Sequence, residues 1–114
     1  MWKNYFKAPF KNDEMGCYLF DSTNQMTLMY EDCCDKDLMQ RIEDILNDKP
    51  IDKSKPKIMA EIKVNGCHVL FNDVYVFCAR GWGYLTGSLK LDNKTACEIQ
   101  DSMLKHIIEK IKES

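Results

Sequence analysis

The sequence predicts an α+β domain of two layers. An antiparallel sheet of about five strands carries two helices on one face, in the order β-β-α-β-β-β-α. Three observations carry that expectation. Apolar and polar residues alternate over 58–64, and an Asn65-Gly66 pair and two further apolar runs follow, as in an antiparallel meander. Apolar residues recur at three- and four-residue spacing from Asp92 to Lys112, as on one face of a long helix. The length of 114 residues is that of a single domain, so 1–114 should share one core.

Composition narrows the function classes. Hydrophobic residues at 45% and charged residues at 30% describe a globular chain. A net charge of −2 gives no field that would draw nucleic acid or an acidic membrane. No apolar run approaches the roughly 18 residues that span a bilayer. The start, Met1–Lys7, lacks the apolar stretch and small-residue cleavage site of a secretory signal. The expectation is a cytoplasmic protein with neither membrane nor nucleic acid as partner.

The six cysteines, at 17, 33, 34, 67, 78 and 97, include no C-x-x-C pair. With only His68 and His106 as histidines, no zinc-ligand spacing is present, and neither metal nor cofactor is expected. Cysteines 17, 67, 78 and 97 fall inside expected strands or helices and read as buried, reduced structural residues.

Residues 1–15 form an aromatic arm. Trp2, Tyr5, Phe6 and Phe10 alternate with lysines, and Pro9 cuts short any helix. Leaving such side chains in water costs about 1.5–3 kcal/mol each, so the arm should dock on the core or on a partner. Cys17–Phe20 and Met26–Tyr30 are apolar runs around the turn formers Asp21–Gln25, the pattern of a hairpin. A helix follows over about 36–47, with Leu38, Ile42, Ile45 and Leu46 on one stripe and Asp32 or Asp35 as N-cap. The loop holding Lys49, Lys53, Lys55 and Lys57 between Pro50 and Pro56 reads as solvated.

The meander then places Ile58, Ala60, Ile62 and Val64 on one strand face, with Asn65-Gly66 as turn and Cys67–Phe71 as partner strand. After Asn72-Asp73, Val74–Ala79 is apolar on both faces. Val74, Val76 and Cys78 share one, and Tyr75, Phe77 and Ala79 the other, so this strand should be central. The last helix starts at the N-cap Asp92 and buries Ala96, Ile99, Met103, Ile107 and Ile111, with Leu104 and Ile108 beside them.

The joint between that strand and that helix is the candidate site. Arg80-Gly81-Trp82-Gly83-Tyr84-Leu85-Thr86-Gly87 combines glycines, which let a ligand approach backbone N–H groups, with an arginine able to grip a carboxylate or phosphate. Trp82 and Tyr84 could stack on a flat ligand, and Arg80, Trp82, Tyr84 and Thr86 are the candidate contacts. It is neither G-x-x-x-x-G-K-[ST] nor G-x-G-x-x-G. The structural alternative is a compact turn in which Trp82 plugs the seam between sheet and helix. Together with Leu91, Ala96 and Ile99-Gln100, this segment resembles a pattern in small uncharacterised bacterial and prophage-type proteins. The resemblance covers residues 80–108, about a quarter of the chain, and brings no functional residue with it.

Other constellations are weaker. Cys33-Cys34 sits at a helix start, but Glu31, Asp32, Asp35 and Asp37 should keep those thiols protonated. A catalytic cysteine–histidine pair would need His68 or His106 beside a thiol in a cleft, and spacing selects no combination. Tyr18, Phe20, Tyr75 and Phe77 could share the sheet face away from the helices, to be covered by residues 1–15 or by a second copy in a homodimer. These readings favour a protein-interaction domain with no catalytic residue, and the resemblance implies an origin in a mobile element. The alternatives are a small-ligand or anion-binding module on the Arg80–Gly87 loop and, behind it, a cysteine–histidine enzyme.

Overall fold

The computed structural model describes residues 1–31 and 35–113. Its strands are β1 (Lys11–Asn12), β2 (Tyr18–Phe20), β3 (Met26–Tyr30), β4 (Ile62–Asn65), β5 (His68–Phe71) and β6 (Val74–Ala79). The two long helices are α1 (Lys36–Leu46) and α2 (Asn93–Glu113). The strands form one antiparallel sheet of six in the order β1-β2-β3-β6-β5-β4. Each three-stranded meander is followed by a long helix. The halves meet along β3 and β6, where Leu28, Met29 and Tyr30 face Ala79, Cys78 and Phe77. One core cluster takes in Leu19, Leu28, Tyr30, Val69 and Phe77 from the sheet with Ile42, Leu46, Ile99, Met103 and Ile107 from the helices. The α+β class and the two-helix layer are as expected, and the sheet has one strand more.

That extra strand comes from the arm. Lys11 and Asn12 pair with Phe20 and Leu19. Asn12 is pinned on the other side, its amide N–H donating to Glu43 Oε1 at 2.8 Å and its Nδ2 to the Met39 carbonyl at 2.9 Å. Trp2, Phe6 and Phe10 are buried in the core, so the arm docks on the helical side of the sheet. Trp2 packs against His106 of α2, and Lys3 bonds Asp48 just past α1. The outer face of the sheet is therefore left uncovered by the arm.

The hairpin turns shift one register. Gly66 has φ of +63° while Asn65 is the last residue of β4 and pairs with His68, so the turn is Gly66-Cys67. A single positive φ at the first central residue is the type II′ arrangement, which glycine alone adopts freely. Cys67 is thus a turn residue and not part of a strand. The next turn, Asn72-Asp73, has both residues left-handed, at φ of 50° and 65°. Residues 58–61 lie outside β4, because β5 ends at Phe71 opposite Ile62 and offers no further partner.

An irregularity in β6 decides which side chains face outward. The β5–β6 register slips between Val69 and Leu70, so that Phe77 faces Val69 while Tyr75 faces Leu70. Val76 and Phe77 both enter the core cluster, and Tyr75 is left exposed. A bulge of this kind gives two neighbouring residues to one face. Phe77 consequently does not share the outer face with Tyr18, Phe20 and Tyr75.

The helix starts follow the sequence. Asp35 caps α1, accepting from the Leu38 amide at 2.7 Å, while Asp32 lies outside the described residues. Asp92 does the same for α2, accepting from the Thr95 amide at 3.1 Å. No helix among the described residues is long and apolar enough to cross a membrane.

Candidate functional site

The joint after β6 is built on Gly81. The Phe6 ring lies against its Cα so closely that a Cβ would overlap the ring, reaching Cε1 at 3.0 Å and Cζ nearer still. From there the chain winds into a wide helical turn at Tyr84–Ser88, closed by Leu85 N–H to the Gly81 carbonyl and Leu89 N–H to the Tyr84 carbonyl. Leu85 is fully buried beneath it. Gln100 of α2 secures the start of the turn. With its amide oxygen toward the loop it accepts from Trp82 N–H at 2.8 Å and Gly81 N–H at 3.2 Å.

This construction separates the four candidate contacts. Arg80 and Trp82 line an open groove of about 590 Å³ whose walls include Met26, Cys67, Cys97 and Gln100. Arg80 is the only charged side chain on that lining among the described residues. Tyr84 turns inward and packs on Phe6, ring centroids 5.9 Å apart. Thr86 donates its hydroxyl to the Trp82 carbonyl at 2.8 Å, holding its own turn. Trp82 does not plug the seam: 45% of its surface is exposed, and Phe6 and Leu85 fill the place assigned to it. The physical reason is the arm, whose Phe6 ring packs directly on Gly81 and occupies that space.

A second group assembles on the outer face, one residue from each of three adjoining segments. Glu31 directly follows β3, His68 opens β5 and Cys78 lies in β6. His68 Nδ1 is 2.6 Å from Glu31 Oε1, and the oxygen, nitrogen and sulfur ligand atoms of the three all lie within 4.8 Å of one another. The Tyr75 ring stands edge-on to His68 at 5.2 Å. Cys78 is almost completely buried, and that burial, with the Glu31 carboxylate beside it, pushes its thiol up to about 12. A thiol so held is protonated at neutral pH and is no nucleophile, although it stands next to a histidine. The sequence gives little warning of this group. Glu31 and His68 are 37 positions apart and meet only because β3, β6 and β5 are neighbours.

His106 occupies a different setting. It packs on Trp2 with centroids 5.3 Å apart, its Nε2 is buried without a hydrogen-bond partner, and burial holds its pKa below the ordinary histidine value. Cys17, Cys67, Cys78 and Cys97 are free thiols, but only Cys78 of the four is buried; Cys17, Cys67 and Cys97 are exposed, not interior as expected, and Cys33-Cys34 lies outside the described residues. Comparison with known proteins gives no match: no family model, no curated protein and no solved structure aligns with this chain.

Proposed function

We propose that the chain is a protein-interaction domain without chemistry of its own, taking its partner along the Arg80–Trp82 edge of the groove. The observation that supports this reading is Trp82. Its backbone is held by Gln100 and by the Gly81–Phe6 contact, yet the residue stays 45% exposed. Tryptophan and arginine dominate the residues that carry binding energy at interfaces, and a residue whose backbone is already held gives up less freedom on binding. Arg80, alone among charges on the groove lining of the described residues, calls for a carboxylate next to an apolar or aromatic side chain. Selection from a random peptide library tests it. Enriched peptides should share an acidic residue beside an apolar one and lose binding by more than tenfold in Arg80→Ala and in Trp82→Ala, about 1.4 kcal/mol or more. Peptides that bind both variants unchanged would overturn the proposal.

A small aromatic anion is the second reading, favoured by the size of the groove and its single positive charge. It calls for a rise in Tm with an aromatic carboxylate alone, lost in Arg80→Ala. For the outer sheet face the partner we propose is a second copy of the chain. Tyr18, Phe20, Met29 and Tyr75 stand there, and the arm packs on the opposite side. Light scattering that returns 13.3 kDa at high concentration would rule the homodimer out.

A further inference from the structure

We infer that Glu31, His68 and Cys78 form a three-ligand site for a borderline-soft divalent metal ion, zinc first among them, on the outer face of the sheet. The donor set is one carboxylate oxygen, one imidazole nitrogen and one thiol sulfur, drawn from a single small region. Those three donor types are the ones zinc takes, whereas calcium and magnesium take oxygens. Zinc bonds of about 2.0–2.3 Å in a tetrahedron place ligand atoms roughly 3.3–3.8 Å apart. The donor atoms already lie within 4.8 Å of one another, about an ångström beyond that spacing, so only a small adjustment separates them from it.

The support of the ligands strengthens the case. His68 and Cys78 are direct partners across β5 and β6, and the Glu31 amide bonds the Val76 carbonyl at 2.6 Å, so all three backbones belong to the sheet or its immediate extension. Ligands on strands hold their geometry better than ligands on loops. Glu31 is 13% and His68 40% exposed at the side chain, which leaves an entry path over the imidazole while Cys78 closes the floor. Three protein ligands leave the fourth position open toward solvent, the form of a site that keeps a water or accepts an outside ligand.

The protons balance simply. The proton that Nδ1 shares with Glu31 moves to Nε2 by tautomer exchange, which frees Nδ1 of a neutral His68 to coordinate. Glu31 coordinates as carboxylate. Cys78 gives its thiol proton to solvent and binds as thiolate, so one divalent ion enters and one proton leaves.

Cobalt(II) titrated into the chelator-treated full chain tests the assignment. The expected result is a near-ultraviolet thiolate-to-cobalt charge-transfer band that saturates at one equivalent and disappears when zinc is added. Cys78→Ser should abolish the band. His68→Gln and Glu31→Gln should each weaken binding at least about tenfold, the loss that even outer partners of metal ligands produce. Cys67→Ser and Cys97→Ser should leave it unchanged. Absence of the band overturns the inference, as does a band that survives in Cys78→Ser or depends only on Cys33 or Cys34. Circular dichroism checks that each variant is folded. If Cys78→Ser is not, the two exposed-side substitutions decide, and unchanged affinity in both refutes the site.

Discussion

Phe6 and Gly81 are a matched pair. The aromatic ring from the arm occupies the space in which any side chain at position 81 would begin. This contact ties the first residues of the chain to the joint between β6 and α2, and it predicts the effect of substitution at either end. Gly81→Ala should destabilise the protein by about 1–3 kcal/mol, the usual range for an overfilled core. Phe6→Leu alone should also cost stability, but the double variant should lose less than the two effects added, because the smaller side chain gives the new methyl room. Urea unfolding of the four proteins measures the coupling, and strict additivity would show that the two positions do not meet.

Gln100 gives a second prediction. Its side chain is buried and serves two loop N–H groups. Gln100→Leu fits the volume but leaves those donors without an acceptor, at a cost of about 1–3 kcal/mol. The freed turn should also let Trp82 move. Fluorescence anisotropy in a Trp2→Phe background should fall in the Gln100→Leu variant, and an unchanged anisotropy would mean that other contacts hold the indole.

The third concerns acid. Burial first, and then the Lys3 charge, lower the pKa of His106; Asp48 opposes them, Lys110 lowers it further, and the Ile45 backbone opposes least. The unfolded chain therefore takes up a proton at His106 before the folded one does. This contribution is complete above the ordinary value of 6.5, shrinks as pH falls through the window below it, and is constant again once the folded state is also protonated. The Trp2 contact should loosen in the same window. Stability measured between pH 7 and pH 5 should drop less in His106→Gln than in the parent protein, and equal pH slopes would refute the assignment.

A fourth prediction tests the α1 cap. Asp35→Ala removes the acceptor of the Leu38 amide and should cost about 1 kcal/mol, whereas Asp35→Asn should restore most of it. Chemical denaturation of the three proteins compares them, and a cost of equal size in both variants would point to charge in place of capping.

These contacts mark where the sequence can be read and where it cannot. Asp35, Asp92 and the apolar stripes of α1 and α2 are local patterns, and local patterns survive folding. The Asn65-Gly66 turn is displaced by one residue because strand pairing, not the dipeptide, sets the register. Phe77 and Tyr75 separate because Val76 bulges, an event with no mark in the alternation of the strand. Arg80 and Trp82 reach the groove as a local reading allows, while Tyr84 and Thr86 are drawn into the turn by Phe6 and the Trp82 carbonyl. Glu31, His68 and Cys78 depend wholly on strand order, which residue periodicity does not encode.

The meeting of two meanders along β3 and β6 has a consequence for how the chain reaches this state. Each hairpin can close early, because its turn is short and its partners are neighbours in sequence. The β3–β6 ladder joins strands that α1, β4 and β5 separate in sequence, the longest such separation in the sheet. Its loop-closure entropy has to be met before any of its hydrogen bonds form. A chain in which that ladder has not formed presents both central strands as open edges, each able to pair with the wrong chain.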